Sequence, residues 1–187
     1  MGNRITFVVI VLVVMLLAML AVSGLRQVGD NQGYEPDQPI SFSHKVHAGD
    51  NQIKCLYCHF GAESSRHAGV PPTSVCMNCH SNIRKDSPEI AKIKKALEDG
   101  QPIEWTKVHR LADFAYFNHA QHVKVGKLEC QKCHGPVETM TRMRQESPLT
   151  MGWCLECHRE SDVVVHGTTD LEKVSDRGGQ DCAKCHY

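Results

Sequence analysis

Ten cysteines occur in this chain of 187 residues, and all ten fall in five copies of Cys-x-x-Cys-His. The copies are Cys55, Cys58 and His59; Cys76, Cys79 and His80; Cys130, Cys133 and His134; Cys154, Cys157 and His158; and Cys182, Cys185 and His186. Two thiols three residues apart, followed at once by an imidazole, form the pattern of covalent c-type haem attachment. The thiols become thioethers to the porphyrin, and the histidine reaches the iron as proximal ligand. Zinc accounts for the pattern less well. A structural zinc site closes a tetrahedron from two ligand pairs, which leaves one of five pairs unmatched and gives the histidines no regular role. Disulfides would make five redox motifs in one small chain and leave no cysteine for a framework. The sequence therefore predicts five covalently bound haem c groups.

That number dictates the fold class. Residues 40–187 supply roughly thirty residues per haem, too few to enclose each one in its own shell. The cofactors must form the interior, with side chains lining them. The expectation is a mainly α and irregular multihaem cytochrome with little sheet, which does not fold without its metal groups. Lys and Arg number 21, as do Asp and Glu, and aromatics are 6%. No basic surplus or aromatic platform points to nucleic acid.

Ile5 to Val22 is an apolar run whose one polar member is Thr6. At about 1.5 Å per residue a helix of this length just crosses a hydrocarbon core of about 30 Å. Arg4 precedes the run, which orients Met1 to the cytoplasm and the residues beyond Gly24 to the outside. The segment 1–24 reads as a retained transmembrane anchor, with cleavage near Ala21-Val22-Ser23 as the alternative. Either way the haem domain lies outside the cytoplasm. Residues 25–39, rich in Gly, Asp, Gln and Pro, read as a linker, and 40–187 as the pentahaem domain.

Within that domain Phe42-Ser-His44-Lys-Val-His47 precedes Cys55 as Phe117-Asn-His119-Ala-Gln-His122 precedes Cys130, with a constant offset of 75. The domain thus reads as a duplicated two-haem unit, 40–84 and 115–160, with a terminal haem in 161–187. Between the copies a helix is expected after Ser87, starting at Pro88 and stopping at Gly100, with Ile90, Ile93 and Leu97 as its apolar stripe.

The repeated His-x-x-His makes His44, His47, His119 and His122 the expected distal ligands. One of each pair would serve the adjacent first haem of its copy and the other a second haem. For the fifth haem His109, His67 and Met151 are the candidates. His166, in a Val-Val-Val-His run, reads rather as a hydrogen-bond partner.

The Phe-x-His-x-x-His…Cys-x-x-Cys-His element resembles class III multihaem cytochromes. The runs from Phe42 to His80, from Tyr116 to Glu138 and from Ser147 to Glu160, with the terminal GGQDCAKCHY, resemble the pentahaem subunit of alternative complex III. The resemblance implies one membrane helix and a periplasmic haem domain in a quinol:cytochrome c or quinol:oxidase oxidoreductase. It also implies partners: an iron–sulfur subunit of the molybdopterin-oxidoreductase type, polytopic quinol-binding subunits, a monohaem cytochrome c, and a terminal oxidase or soluble cytochrome c as acceptor. On this reading the chain is not catalytic alone. It relays electrons from quinol-oxidising and iron–sulfur partners, with no catalytic residue of its own. The alternative is a stand-alone, membrane-anchored quinol dehydrogenase or shuttle like the NapC/NrfH group. A multihaem nitrite reductase is a poor match, since all five motifs end in histidine where such enzymes carry one Cys-x-x-Cys-Lys.

Overall fold

The computed structural model describes residues 2–26, 30–164 and 171–186. His166 and residues 27–29 of the expected linker lie outside the described residues. The apolar run forms a single helix, α1, Gly2–Arg26, whose described side chains are exposed along its length. A helix so apolar with no protein packed on it is long enough to cross a membrane.

The remainder is short helices and turns. The helices are α2 (Cys55–Cys58), α3 (Thr73–His80), α4 (Pro88–Glu98), α5 (Gln131–His134) and α6 (Met151–Glu160). The sheet found among the described residues is one antiparallel ladder, β1 (Asp162–Val164) on β2 (Leu171–Lys173), with Val163 opposite Glu172. The expectation of a helical and irregular chain with little sheet holds. Four of the five Cys-x-x-Cys pairs lie in or at the edge of α2, α3, α5 and α6, and the fifth lies in the 3-10 turn Cys182–Lys184 and the residue after it.

α4 begins and ends where the sequence predicts. Ser87 holds the N-cap position, Pro88 follows it, and Gly100 turns the chain with φ +65°. Ile90 and Ile93 are buried and pack with Ile40, Cys76, Met77, Ile103 and Trp105. Leu97 is exposed, so the stripe is one turn shorter than the pattern suggests. Two of the three α4 lysines meet carboxylates: Lys92 pairs with Glu89 at 2.8 Å and Lys95 with Asp99 at 2.7 Å.

The two copies of the repeat dock reciprocally. The π-helical turn Lys45–Asp50 packs on the 3-10 turn Val137–Thr139, and the π-helical turn Gln121–Val125 packs on the 3-10 turn Phe60–Glu63. Lys45 N–H donates to the Met140 carbonyl (2.8 Å) and Ala120 N–H to the Ser65 carbonyl (3.1 Å). Both the donors and the acceptors differ by the repeat offset of 75. Each copy presents to the other the surface it receives, as two-fold related surfaces do. Gly49 lets the chains close, since a Cβ there would fall on the Glu138 carbonyl oxygen.

Residues 30–39, which composition alone groups with the linker, are docked on the domain. Gly33 N–H donates to the Gln145 carbonyl (2.7 Å), and Gln145 N–H to the Tyr34 carbonyl (3.0 Å). Arg142 pairs with Asp37 and, at 3.4 Å, with Glu35. Gln145 is fully buried, and its side chain accepts from Arg110 N–H (2.9 Å) and donates to the Ser147 carbonyl (3.0 Å). A buried amide with both ends satisfied joins three distant segments. Gln145→Leu strands the Arg110 donor and the Ser147 acceptor at a cost of about 1–3 kcal/mol for an unsatisfied buried group. Denaturant unfolding of the haem-loaded protein measures it, and an unchanged midpoint would refute the role.

Candidate haem sites

The five motifs are numbered as sites 1–5 in chain order. Haem attachment needs free thiols, a proximal imidazole with its Nε2 available, and space for a second ligand opposite. All ten cysteines are free. Among the described residues no group of three or more His, Cys, Asp or Glu side chains converges as a tetrahedral zinc centre requires.

Each motif histidine has its Nδ1 engaged. His59 meets the Gly69 carbonyl (2.6 Å), His80 that of Ile83 (2.9 Å), His158 that of Gly179 (2.6 Å) and His186 that of Phe114 (3.0 Å). His134 meets a side chain instead, His109 Nε2 at 3.1 Å. An Nδ1–H held this way fixes the tautomer and leaves Nε2 unprotonated for a metal.

Three of the four His-x-x-His rings are held by the same device. His47 Nδ1 lies 2.8 Å from the Ser43 carbonyl and His122 Nδ1 2.8 Å from that of Asn118. Phe42 stacks on His47 and Phe117 on His122, both at 4.3 Å between ring centres. This clamp explains the phenylalanine at the head of each repeat. His119 Nδ1 meets the Arg66 carbonyl at 2.9 Å, across the reciprocal interface. His44 Nδ1 is buried without a partner.

Three ring pairs face one another. His47 and His80 have centres 6.1 Å apart, His119 and His134 6.4 Å, and His122 and His158 5.9 Å. With a metal–imidazole bond of about 2.0–2.1 Å and about 1.1 Å from ring nitrogen to ring centre, two imidazoles sharing one metal would have centres about 6.2–6.4 Å apart. The three separations lie within about 0.3 Å of that span. Their planes differ: 62° for His47 and His80, 7° for His119 and His134, and 26° for His122 and His158.

Burial disfavours the charged imidazole. Desolvation first, then the neighbouring His59, His47 and His109, hold the His44 pKa at about 4. Desolvation, then His109, His119, His59 and His44, hold that of His134 at about 3. His109 and His122 are lowered for the same leading reason. These rings are neutral at physiological pH, the form that coordinates metal. Burial also pushes up the Cys58, Cys130, Cys133 and Cys154 thiols, and neighbouring thiols add to it: Cys76 at Cys58, Cys55 at Cys130, Cys157 at Cys133 and Cys185 at Cys154.

The three candidates for the fifth distal position sit in different surroundings. His109 is half-buried against His134, with rings edge-on at 4.5 Å. Met151 opens α6 and is 66% exposed. His67 is exposed, and its backbone N–H is bound to Ser65 Oγ. The ring of His186 lies against Phe114.

Residues 115–187 match the family of cytochrome c7 and related cytochrome c. Three of the five motifs fall in that segment, at sites 3, 4 and 5. The chain is also similar to the multihaem cytochrome c subunit of menaquinone reductase from Nitratidesulfovibrio vulgaris Hildenborough. The two are 36% identical over 101 residues, which cover 54% of this chain and 47% of the relative. The chain thus spans about half the length of the curated relative that it matches. The cytochrome c7 match, the free cysteine pairs and the oriented histidines agree on c-type haem chemistry within residues 115–187.

Proposed function

We propose that this protein is the electron-relay subunit of a membrane quinol oxidoreductase, with one c haem at each of its five motifs. The facing of His47 with His80, His119 with His134 and His122 with His158 carries this reading, because two trans imidazoles close an iron to substrates. On this assignment the thiols of each motif tether the haem and the motif histidine is proximal. His47 serves site 2, His119 site 3 and His122 site 4. His44, the repeat mate of His119, serves site 1 opposite His59. Bound haem supplies the one-electron couple, whose potential the axial ligands, burial and hydrogen bonds adjust. The residues hold and orient, and none is asked to move a proton.

The packing supports a row of sites in the order 2, 1, 3, 4, 5. His44 and His47, three residues apart, join sites 1 and 2, and Asn78 of motif 2 donates to the Tyr57 hydroxyl of motif 1 at 3.0 Å. The reciprocal interface backs site 1 onto site 3. His119 and His122 join sites 3 and 4. His158 and Arg159 bond to Gly179 and Gln180, just ahead of motif 5, which sets site 5 beside site 4. Sites 2 and 5 are then the ends that exchange electrons with partners.

α1 anchors the subunit on this reading, with the haem domain periplasmic. The resemblance in the sequence favours electrons leaving quinol for a cytochrome c or terminal oxidase, through iron–sulfur, polytopic and monohaem cytochrome partners. A second reading, electron flow toward menaquinone, is favoured by the name of the 36% identical relative. A relay of this kind serves either direction, because the potentials of its partners set the flow.

The test is purification from native membranes. The subunit should co-purify in a complex with quinol or quinone turnover and show no such turnover alone. Robust activity of the isolated chain sinks the relay reading in favour of the NapC/NrfH-like one. Electron paramagnetic resonance of the oxidised subunit tests the pairing. Parallel rings split the iron dπ orbitals and give rhombic low-spin signals, as expected from sites 3 and 4. Strongly crossed rings leave these orbitals nearly degenerate and give a highly anisotropic signal, as expected from site 2. Five high-spin haems would remove the pairing altogether.

A further inference from the structure

The histidines of the five motifs are not oriented alike. Four lodge Nδ1 on a backbone carbonyl, while His134 lodges it on His109 Nε2. The repeat sharpens the contrast, since His59, the mate of His134, uses the Gly69 carbonyl. With Nε2 given to iron, the His134 Nδ1 must carry the proton, so it donates and His109 accepts. His109 is itself fixed on both sides. Val108 is buried, and Arg110 N–H is bound to the side chain of the fully buried Gln145. The ring it holds is also the one most nearly parallel to its opposite ligand, at 7°.

We infer that His109 is a positioning residue for site 3: it accepts the His134 Nδ1–H, sets the ring plane and raises the basicity of that ligand. An imidazole nitrogen aimed along the N–H bond is a stronger base than an amide carbonyl. His134 should therefore donate more electron density to iron than its mate His59 does, and hold the oxidised state of site 3 more firmly. The duplicated unit would then differ in potential between its two central sites, 1 and 3, where the row crosses from one copy to the other. This rests on the reading that His134 and His119 share one iron.

The experiment is a redox titration, with electron paramagnetic resonance of the oxidised state, on the full chain matured with its haems. His109→Leu removes the acceptor. One haem should rise in potential by about a tenfold change in its one-electron equilibrium, about 59 mV, within the range that ligand partners of this kind command. The rhombic signal of the near-parallel pair should change in the same variant. His109→Gln retains a weaker acceptor and should give an intermediate shift of the same haem, which carries the test alone if the leucine variant does not accumulate. Unchanged potentials and spectra in the variants obtained overturn the inference. So does a new high-spin haem at site 5 with site 3 unaltered, which would make His109 the fifth distal ligand. Lack of haem on Cys130 and Cys133 in the unsubstituted protein, read from peptide masses, would instead sink the underlying assignment.

Discussion

His122→Ala should convert one haem from low-spin to high-spin and interrupt the relay one site from its end. The substitution removes the ring that faces His158 at 5.9 Å and is clamped between Phe117 and the Asn118 carbonyl. His119, three residues earlier, is no substitute, since it already faces His134. Site 4 loses a strong-field ligand and its potential moves. Each 59 mV changes a one-electron equilibrium tenfold, so transfer from site 3 to site 5 should slow on the order of 10–100-fold, the range that even hydrogen-bond partners of a ligand command. Stopped-flow reduction monitored across the haem bands measures the rate, and the high-spin absorption reports the lost ligand. His47→Ala is the control. It should abolish the highly anisotropic signal of site 2 and leave the rhombic signals in place. A low-spin spectrum and normal transfer in His122→Ala would remove that residue from the ligand set.

Without haem the chain should not fold. Six apolar residues are buried among the described ones: Ile40, Ala62, Ile90, Ile93, Val108 and Met140. Three of these, Ile40, Ile90 and Ile93, form a cluster. Fully burying an aliphatic side chain returns about 1.5–3 kcal/mol, whereas ordering one residue costs about 1–2 kcal/mol. Six side chains cannot offset the ordering of a domain this size, and the short ladder of β1 and β2 adds little. Expression without the haem-attachment machinery, or with the ten cysteines changed to alanine, should give a chain without a cooperative thermal transition and rapidly degraded by protease. A haem-free domain that melts cooperatively would show that the polypeptide carries its own core.

The sequence by itself determined the fold class and pointed to the attachment chemistry, because both rest on short-range spacing. Two thiols three residues apart and an adjacent histidine need no tertiary contact to be recognised, and five of them in a chain this short leave room for little beyond turns and short helices. The His-x-x-His pairs are legible for the same reason, through the constant offset of 75. Tertiary structure alone decided which ring faces which, since the partners of His47, His119 and His122 lie 33, 15 and 36 residues further on. It also decided that residues 30–39 dock on the domain and that Gln145, a residue type normally exposed, is the one polar side chain buried outright among the described residues. Above all it brought His109 to His134. Backbone acceptors and hydrogen-bonding imidazoles leave no mark in spacing, because the bond that selects them forms only when distant segments meet.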